Sequence, residues 1–286
     1  MVDLRRLRMD GRVSLGLVQA EDGALIMVET AGAGRPLLLV HGWSMSRCFW
    51  RRQIESLSDR FMVVAPDLRA HGDSSKVFFG LTLPRCARDL QDVIEALDLH
   101  GVVLAGWSLA GPLVLEHWQR YGGDRIQALA LVEMTPAPLA AGTWNTHRLA
   151  GMNLDGLADS LRAVQENRRG HMKAFVHGMF HGGVAPEADH AFMLTEALKT
   201  PALAAASLYS DYVLRDYRDV LPTVTAPTLV AVGREAPTCF GEACGDYVAG
   251  KLPRGELRIF KDSGHLPFWE EPAAFNQALI DLSARI

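Results

Sequence analysis

Val102-Val103-Leu104-Ala105-Gly106-Trp107-Ser108-Leu109-Ala110-Gly111-Pro112-Leu113 carries an apolar run that breaks at Gly106, a lone serine among small residues, and an apolar pattern that resumes at once. That succession predicts a strand, a sharp turn and a helix. The turn forces Ser108 into a strained backbone conformation that only small neighbours tolerate, and lifts its hydroxyl clear of the sheet as a nucleophile requires. The Leu109 N–H then lies at a helix start, where unpaired amides and the positive end of the dipole stabilise an oxyanion.

Working outward, the chain alternates short apolar runs with helical patterns. Upstream, Val13 to Val18 and Ala24 to Glu29 read as an opening strand pair around the turn Glu21-Asp22-Gly23. Leu37 to Val40 is continuously apolar, as suits a strand buried on both faces, and runs into His41-Gly42-Trp43. Cys48 to Ser58 reads as a helix, Phe61 to Ala65 as a strand, and Leu81 to Leu97 as an amphipathic crossover helix delivering the chain to the Ser108 turn. Downstream, Ile126 to Val132 is a strand ending at Glu133, and Pro227 to Gly233 and Glu256 to Phe260 are further strands. Between about residues 137 and 221 the alternation gives way to helix-like sequence rich in methionine, histidine and aromatics.

Three motifs carry a resemblance to a known family. Gly106-Trp107-Ser108-Leu109-Ala110 is similar to Gly-x-Ser-x-Gly, with Ala110 at the last small position. Asp67-Leu68-Arg69-Ala70-His71-Gly72-Asp73-Ser74 is similar to Asp-x-Arg-Gly-His-Gly-x-Ser, with Ala70 in place of glycine, and Ser263-Gly264-His265 follows the last strand. In this order they resemble the α/β-hydrolase superfamily. The resemblance implies an α/β fold: a mostly parallel central sheet flanked by helices, with an inserted helical cap. The expected boundaries are 1–136 for the first part of the core, 137–221 for the cap and 222–286 for the second part. It also implies His265 as general base and the Trp43 amide as partner to Leu109 in the oxyanion hole. The Asp67 to Ser75 loop is read as structural, since its polar side chains can bond to nearby backbone amides.

The acid that orients His265 is the point of departure. Superfamily register puts it at Ala236, which has no carboxylate, so two glutamates are candidates. Glu133 ends the strand after the Ser108 helix; Glu235 stands one residue from the usual site. Glu133 is favoured because a strand end is set more rigidly than a loop. Trp107 and Trp144 are the expected substrate-binding aromatics.

The reading that follows is a serine hydrolase cleaving a carboxylic ester through an acyl-enzyme on Ser108. The Gly106-Trp107-Ser108-Leu109 turn with His41-Gly42-Trp43 is similar to carboxylesterases acting on pimeloyl-carrier-protein methyl esters. A cofactor-free haloperoxidase or perhydrolase, or an acyltransferase, would use the same residues; a non-catalytic ligand-binding member would account for Ala236. Arg162, Arg168, Arg169 and Lys173 make the cap locally basic and are the expected dock for an acyl carrier protein.

Composition narrows the remaining classes. With 286 residues, 49% of them hydrophobic, the chain can bury a large core, and its formal net charge of −4 argues against a nucleic-acid partner. No apolar run is long enough to cross a membrane. Met1 to Arg12 carries four arginines without the apolar core of a leader, so a cytoplasmic location is expected, with free cysteines. Neither a phosphate-binding Gly-x-Gly-x-x-Gly turn in context nor a metal-ligand cluster is legible, and no cofactor is expected.

Overall fold

The computed structural model describes residues 4–9 and 13–286, with side chains from residue 13 onward; residues 1–3 and 10–12 of the arginine-bearing N-terminal stretch lie outside the description. Among the described residues nine strands form one sheet: β1 (Leu4–Met9), β2 (Val13–Gln19), β3 (Leu25–Ala31), β4 (Arg35–Val40), β5 (Phe61–Pro66), β6 (Val102–Trp107), β7 (Ile126–Val132), β8 (Thr228–Gly233) and β9 (Gly255–Phe260). Their spatial order is β1-β2-β3-β5-β4-β6-β7-β8-β9. The β1, β2, β3 and β5 neighbours pair antiparallel, and every pairing from β5 through β4 to β9 is parallel. The expected α/β architecture with a mostly parallel sheet is therefore what the chain adopts. β1 is an addition, because its Leu-Arg-Arg-Leu-Arg-Met sequence does not read as a strand until β2 lies beside it.

Burial explains why the middle strands lack alternation. β6 and β8 are buried along their whole length and β4 at every residue but Arg35, since helices cover both faces. The flanking helices are α1 (Arg51–Leu57), α2 (Leu83–Ala96), α3 (Ala110–Tyr121), and, after the last crossover, α8 (Glu242–Lys251), α9 (Pro267–Glu270) and α10 (Pro272–Ser283). The helix expected over residues 48–58 is split: a 3₁₀ turn, Arg47–Trp50, capped by Ser46, precedes α1. Thr82 caps α2 by accepting from the Arg85 N–H, and Pro84 stands in its first turn, where a missing N–H costs nothing.

Between β7 and β8 lie α4 (Leu154–Glu166), α5 (Arg168–Met179), α6 (Glu187–Ala197) and α7 (Ala202–Val213). This insertion is tied to the sheet side by specific polar contacts. Trp43 Nε1 donates to the Ala205 carbonyl (2.8 Å), Ser46 Oγ to Glu196 (2.6 Å), and the His265 N–H to the Met179 carbonyl (2.7 Å). Among the described residues no helix is long and apolar enough to cross a membrane.

Candidate active site

The site forms where parallel strands end together. In register, Gly106 faces Leu131 and Val132 faces Ala231, so the residues just past β6, β7 and β8 emerge side by side. Ser108 follows β6 with φ 58°, and its N–H donates to the Val132 carbonyl (2.9 Å). A left-handed serine costs about 1–2 kcal/mol relative to ordinary backbone, which the surrounding pairing must offset. Glu133 follows β7, also left-handed (φ 44°), with its N–H on the Ala231 carbonyl (2.8 Å).

Glu133 has no exposure, and its carboxylate is fully engaged. Oε1 accepts from the Gly233 N–H (2.7 Å), and Oε2 accepts from the Phe240 N–H (3.1 Å) and lies 2.9 Å from His265 Nδ1. A carboxylate at Nδ1 fixes the proton there and leaves Nε2 as a bare base. The His265 loop is pressed onto the end of β8: a Cβ at Gly233 would stand 1.8 Å from the Gly264 carbonyl oxygen, so this approach requires glycine. The Arg234 N–H bonds to Ser263 O (2.8 Å), and Trp107 Nε1 donates to His265 O (2.8 Å), holding the loop from two sides.

Glu235 is exposed, and its carbonyl accepts from the Gly182 N–H (3.1 Å); its side chain is not brought to His265. Ala236 leaves the superfamily's usual acid position without a carboxylate, and the strand-end glutamate occupies the histidine instead.

Gly42 brings the loop after β4 against the serine: a Cβ there would lie 3.1 Å from Ser108 Cβ and from the Trp107 ring. Trp43 and Leu109 both line the cavity above Ser108, and among the described residues neither of their backbone amides finds an acceptor in the chain. His41 is buried and structural. Its Nδ1 donates to Gly42 O (2.8 Å), its Nε2 accepts from the Leu68 N–H (2.9 Å), and burial pulls its pKa down to about 4. His71 is likewise buried, donates to Arg69 O (2.8 Å), and is pulled to about 3. The loop holding His71 is framed as expected: Asp67 accepts from the Arg47 and Asp73 amides (2.7 Å each), and Arg69 grips Asp89 with two bonds of 2.6 Å.

Ser108 and His265 line one cavity of about 610 Å³, counted with its open mouth. Its floor comes from strand ends and its walls from the insertion. Ser160 and Val164 of α4, His171 and Phe175 of α5, and Tyr209 and Tyr212 of α7 face it. Each helix contributes a pair three or four residues apart, the spacing that puts two side chains on one face. That spacing is the signal that would have found them in the sequence.

Two expected substrate-binding residues are not brought to this cavity. Trp107 is 1% exposed and packs beneath the site against Phe49, Phe268 and His265. Trp144 stacks on Tyr247 at 4.2 Å, away from the cavity lining. Trp107 found partners in the core and Trp144 one at its edge, a packing outcome that their positions in sequence do not reveal. The basic face is also smaller than expected. Arg162, Arg169 and Lys173 are exposed, whereas Arg168 turns inward, donating to Ser44 Oγ (2.9 Å) and Ala197 O (3.0 Å) below the Trp43 ring. Burial lowers the Arg168 pKa to about 10. Among the described residues no cluster of three or more His, Cys, Asp or Glu is arranged to hold a metal ion.

Several known proteins share this framework. A pimeloyl-[acyl-carrier protein] methyl ester esterase of Vibrio cholerae is 27% identical over 263 residues, covering 90% of this chain and 97% of its own. A non-heme chloroperoxidase of Kitasatospora aureofaciens is 25% identical over 249 residues, covering 85% and 90%. The solved structure of an esterase from Exiguobacterium antarcticum matches the fold with a TM-score of 0.85 at 24% identity, covering 94% of this chain and 98% of that one. The alpha/beta hydrolase family model matches residues 37–278, spanning the strand before Trp43, the Ser108 turn, Glu133 and the His265 loop; the chain belongs to the alpha/beta hydrolase family.

Proposed function

We propose that this protein hydrolyses carboxylic esters through an acyl-enzyme on Ser108. The observation that carries this reading is the 2.9 Å contact between His265 Nδ1 and Glu133 Oε2 beside a cavity that Ser108 and His265 share. In this reading His265 Nε2 takes the Ser108 proton as Oγ attacks the ester carbonyl, and Glu133 steadies the imidazolium. The Trp43 and Leu109 amides receive the oxyanion. Collapse breaks the bond to the alcohol, which leaves with the proton from His265. Water then adds to the acyl carbon, giving its proton to the same nitrogen, and the acid departs as Ser108 recovers a proton.

Hydrolysis of p-nitrophenyl esters of increasing acyl length tests the reading, with Ser108→Ala as control. Turnover should fall about 10⁴-fold or more in the variant. Equal turnover in the two proteins, or none on any ester by the folded wild type, would overturn it.

The carrier-protein ester in the name of the Vibrio cholerae relative, with exposed Arg162, Arg169 and Lys173 on α4 and α5, favours a second reading: the acyl group arrives on an acidic carrier protein. Arg162 already pairs with Asp159 at 2.8 Å, so Arg169 and Lys173 carry most of the attraction. Neutralising all three should weaken turnover of carrier-bound esters about tenfold more than of free esters at low salt. Equal losses would remove the carrier.

A further inference from the structure

The cavity wall holds a cation with no acid opposite it. Arg148 lies in the segment between β7 and α4 and lines the Ser108 cavity; among the described residues it forms no ion pair and no side-chain hydrogen bond. Among the described residues, none that lines the cavity is acidic. A second hollow of about 550 Å³ shares Arg148, His171, Phe175 and Thr238 with the first, so Arg148 stands on the wall common to both. Arg148 is exposed to solvent, so its guanidinium presents a fork of donors and an unpaired charge at the rim of the cavity.

The imidazoles beside it add no second charge, and the other nearby cation, Arg168, lies outside the cavity lining. Burial lowers the pKa of His147 to about 3, with the charge of Arg148 in support; burial also lowers that of His171, helped by Arg148 and Arg168. Both imidazoles are neutral near pH 7. Arg168 is committed to Ser44 and the Ala197 carbonyl. One cation in a wall otherwise formed by aromatics, aliphatics and neutral polar groups matches one negative charge at the end of an apolar chain.

We propose that Arg148 binds a carboxylate on the substrate, so that the preferred ester is a monoester of a dicarboxylic acid, with the ester carbonyl at Ser108 and the free carboxylate at the guanidinium. This rests on the ester hydrolase reading and names its substrate class. A carboxylate matches the planar fork and the single charge, whereas a phosphate dianion would leave charge uncompensated in a partly apolar wall.

The test compares monomethyl and dimethyl esters of the same dicarboxylic acids, from succinate to suberate, in wild type and Arg148→Glu. In the wild type, kcat/KM should favour the monoanion by about tenfold or more at the best chain length, and the preference should shrink in 1 M salt. Arg148→Glu should invert the ratio. The ratio is internal to each protein, so a general loss of activity in the variant does not mimic the effect. Monomethyl adipate binding to Ser108→Ala, followed by calorimetry, reads the same contact without turnover and should weaken comparably in Ser108→Ala/Arg148→Glu. Hydrolysis of dimethyl esters with no monoanion preference would overturn the carboxylate site and leave the ester hydrolase standing. No hydrolysis of either series would overturn both. Competition by inorganic phosphate at lower concentration than by monomethyl adipate would overturn the choice of carboxylate.

Discussion

The strand ends and the helical insertion build the two halves of the cavity by different means. Ser108, Glu133 and the His265 loop are held by backbone: Ser108 N–H on Val132 O, Glu133 N–H on Ala231 O, Arg234 N–H on Ser263 O. Most helices of the insertion reach the sheet side through side chains, such as Trp43 to Ala205, Ser46 to Glu196 and Arg168 to Ser44, while the end of α5 also bonds by backbone, Met179 O to the His265 N–H and Gly178 O to the Thr238 N–H. A ladder of parallel strands sets positions that no single side chain can shift, whereas helices resting on side-chain contacts can be re-cut one residue at a time. Strand-end changes should therefore lower turnover of every ester alike. Changes in the insertion should re-rank the esters.

The strongest way to break this contrast is at the two glutamates. Glu133→Gln keeps the shape but removes the charge facing His265, and should cost about 10³–10⁴-fold in kcat on all esters. Glu235→Gln, on an exposed side chain, should stay within about twofold. Steady-state kinetics on one ester panel decides, and a large loss in the second variant with none in the first would reverse the assignment.

Acid stability reads the same contrast in another quantity. His41 and His71 beneath the strand ends, His117 on α3 and His147 in the cavity wall are held neutral, burial lowering their pKa values to about 4, 3, 4 and 3. Each folded value lies below the unfolded value of about 6.5, so the unfolded chain binds more protons over this interval. The contribution is complete above about pH 6.5 and is lost as pH falls toward 4, by about 1.4 kcal/mol per pH unit for each histidine. Denaturant midpoints measured from pH 7.5 to 4.5 should fall steadily below pH 6.5, and His147→Gln should flatten the slope. A flat profile in the wild type would mean that these imidazoles are not held neutral.

The smallest effect belongs to the insertion. Val164 of α4 is 1% exposed and lines the cavity. Val164→Ala adds room for about two carbons and should move the optimum of a p-nitrophenyl ester series toward longer chains, changing the ratio between neighbouring lengths about tenfold or less. A uniform fall across the series would instead make α4 part of the rigid half.

Legibility followed the same division. The strands, their order around the Ser108 turn and the candidates Ser108, His265 and Glu133 were readable because β-strand burial and sharp turns leave local signatures: continuous apolar runs, a serine among small residues, a glycine before a histidine. The split helix at residues 47–57 and the first strand were not readable, since a 3₁₀ turn and an arginine-bearing edge strand differ little from loop in local pattern. Trp107 and Trp144 looked like ligand contacts because an exposed-looking aromatic and a packed one have the same sequence. Each instead met a partner distant in the chain, Trp107 the His265 carbonyl and Trp144 the Tyr247 ring.

By itself the sequence determined the α/β layering and the residue types at the strand ends, because those depend on periodicities of two to four residues. Only the tertiary structure decided which glutamate meets His265, that Arg168 faces inward while Arg148 stands without an acid in the cavity wall, and which helix faces enclose the space above Ser108. Those outcomes depend on the approach of segments a hundred or more residues apart, such as Glu133 and His265, separated by 132 positions. No local pattern encodes such an approach; the register of the sheet and the packing of the helices across it do.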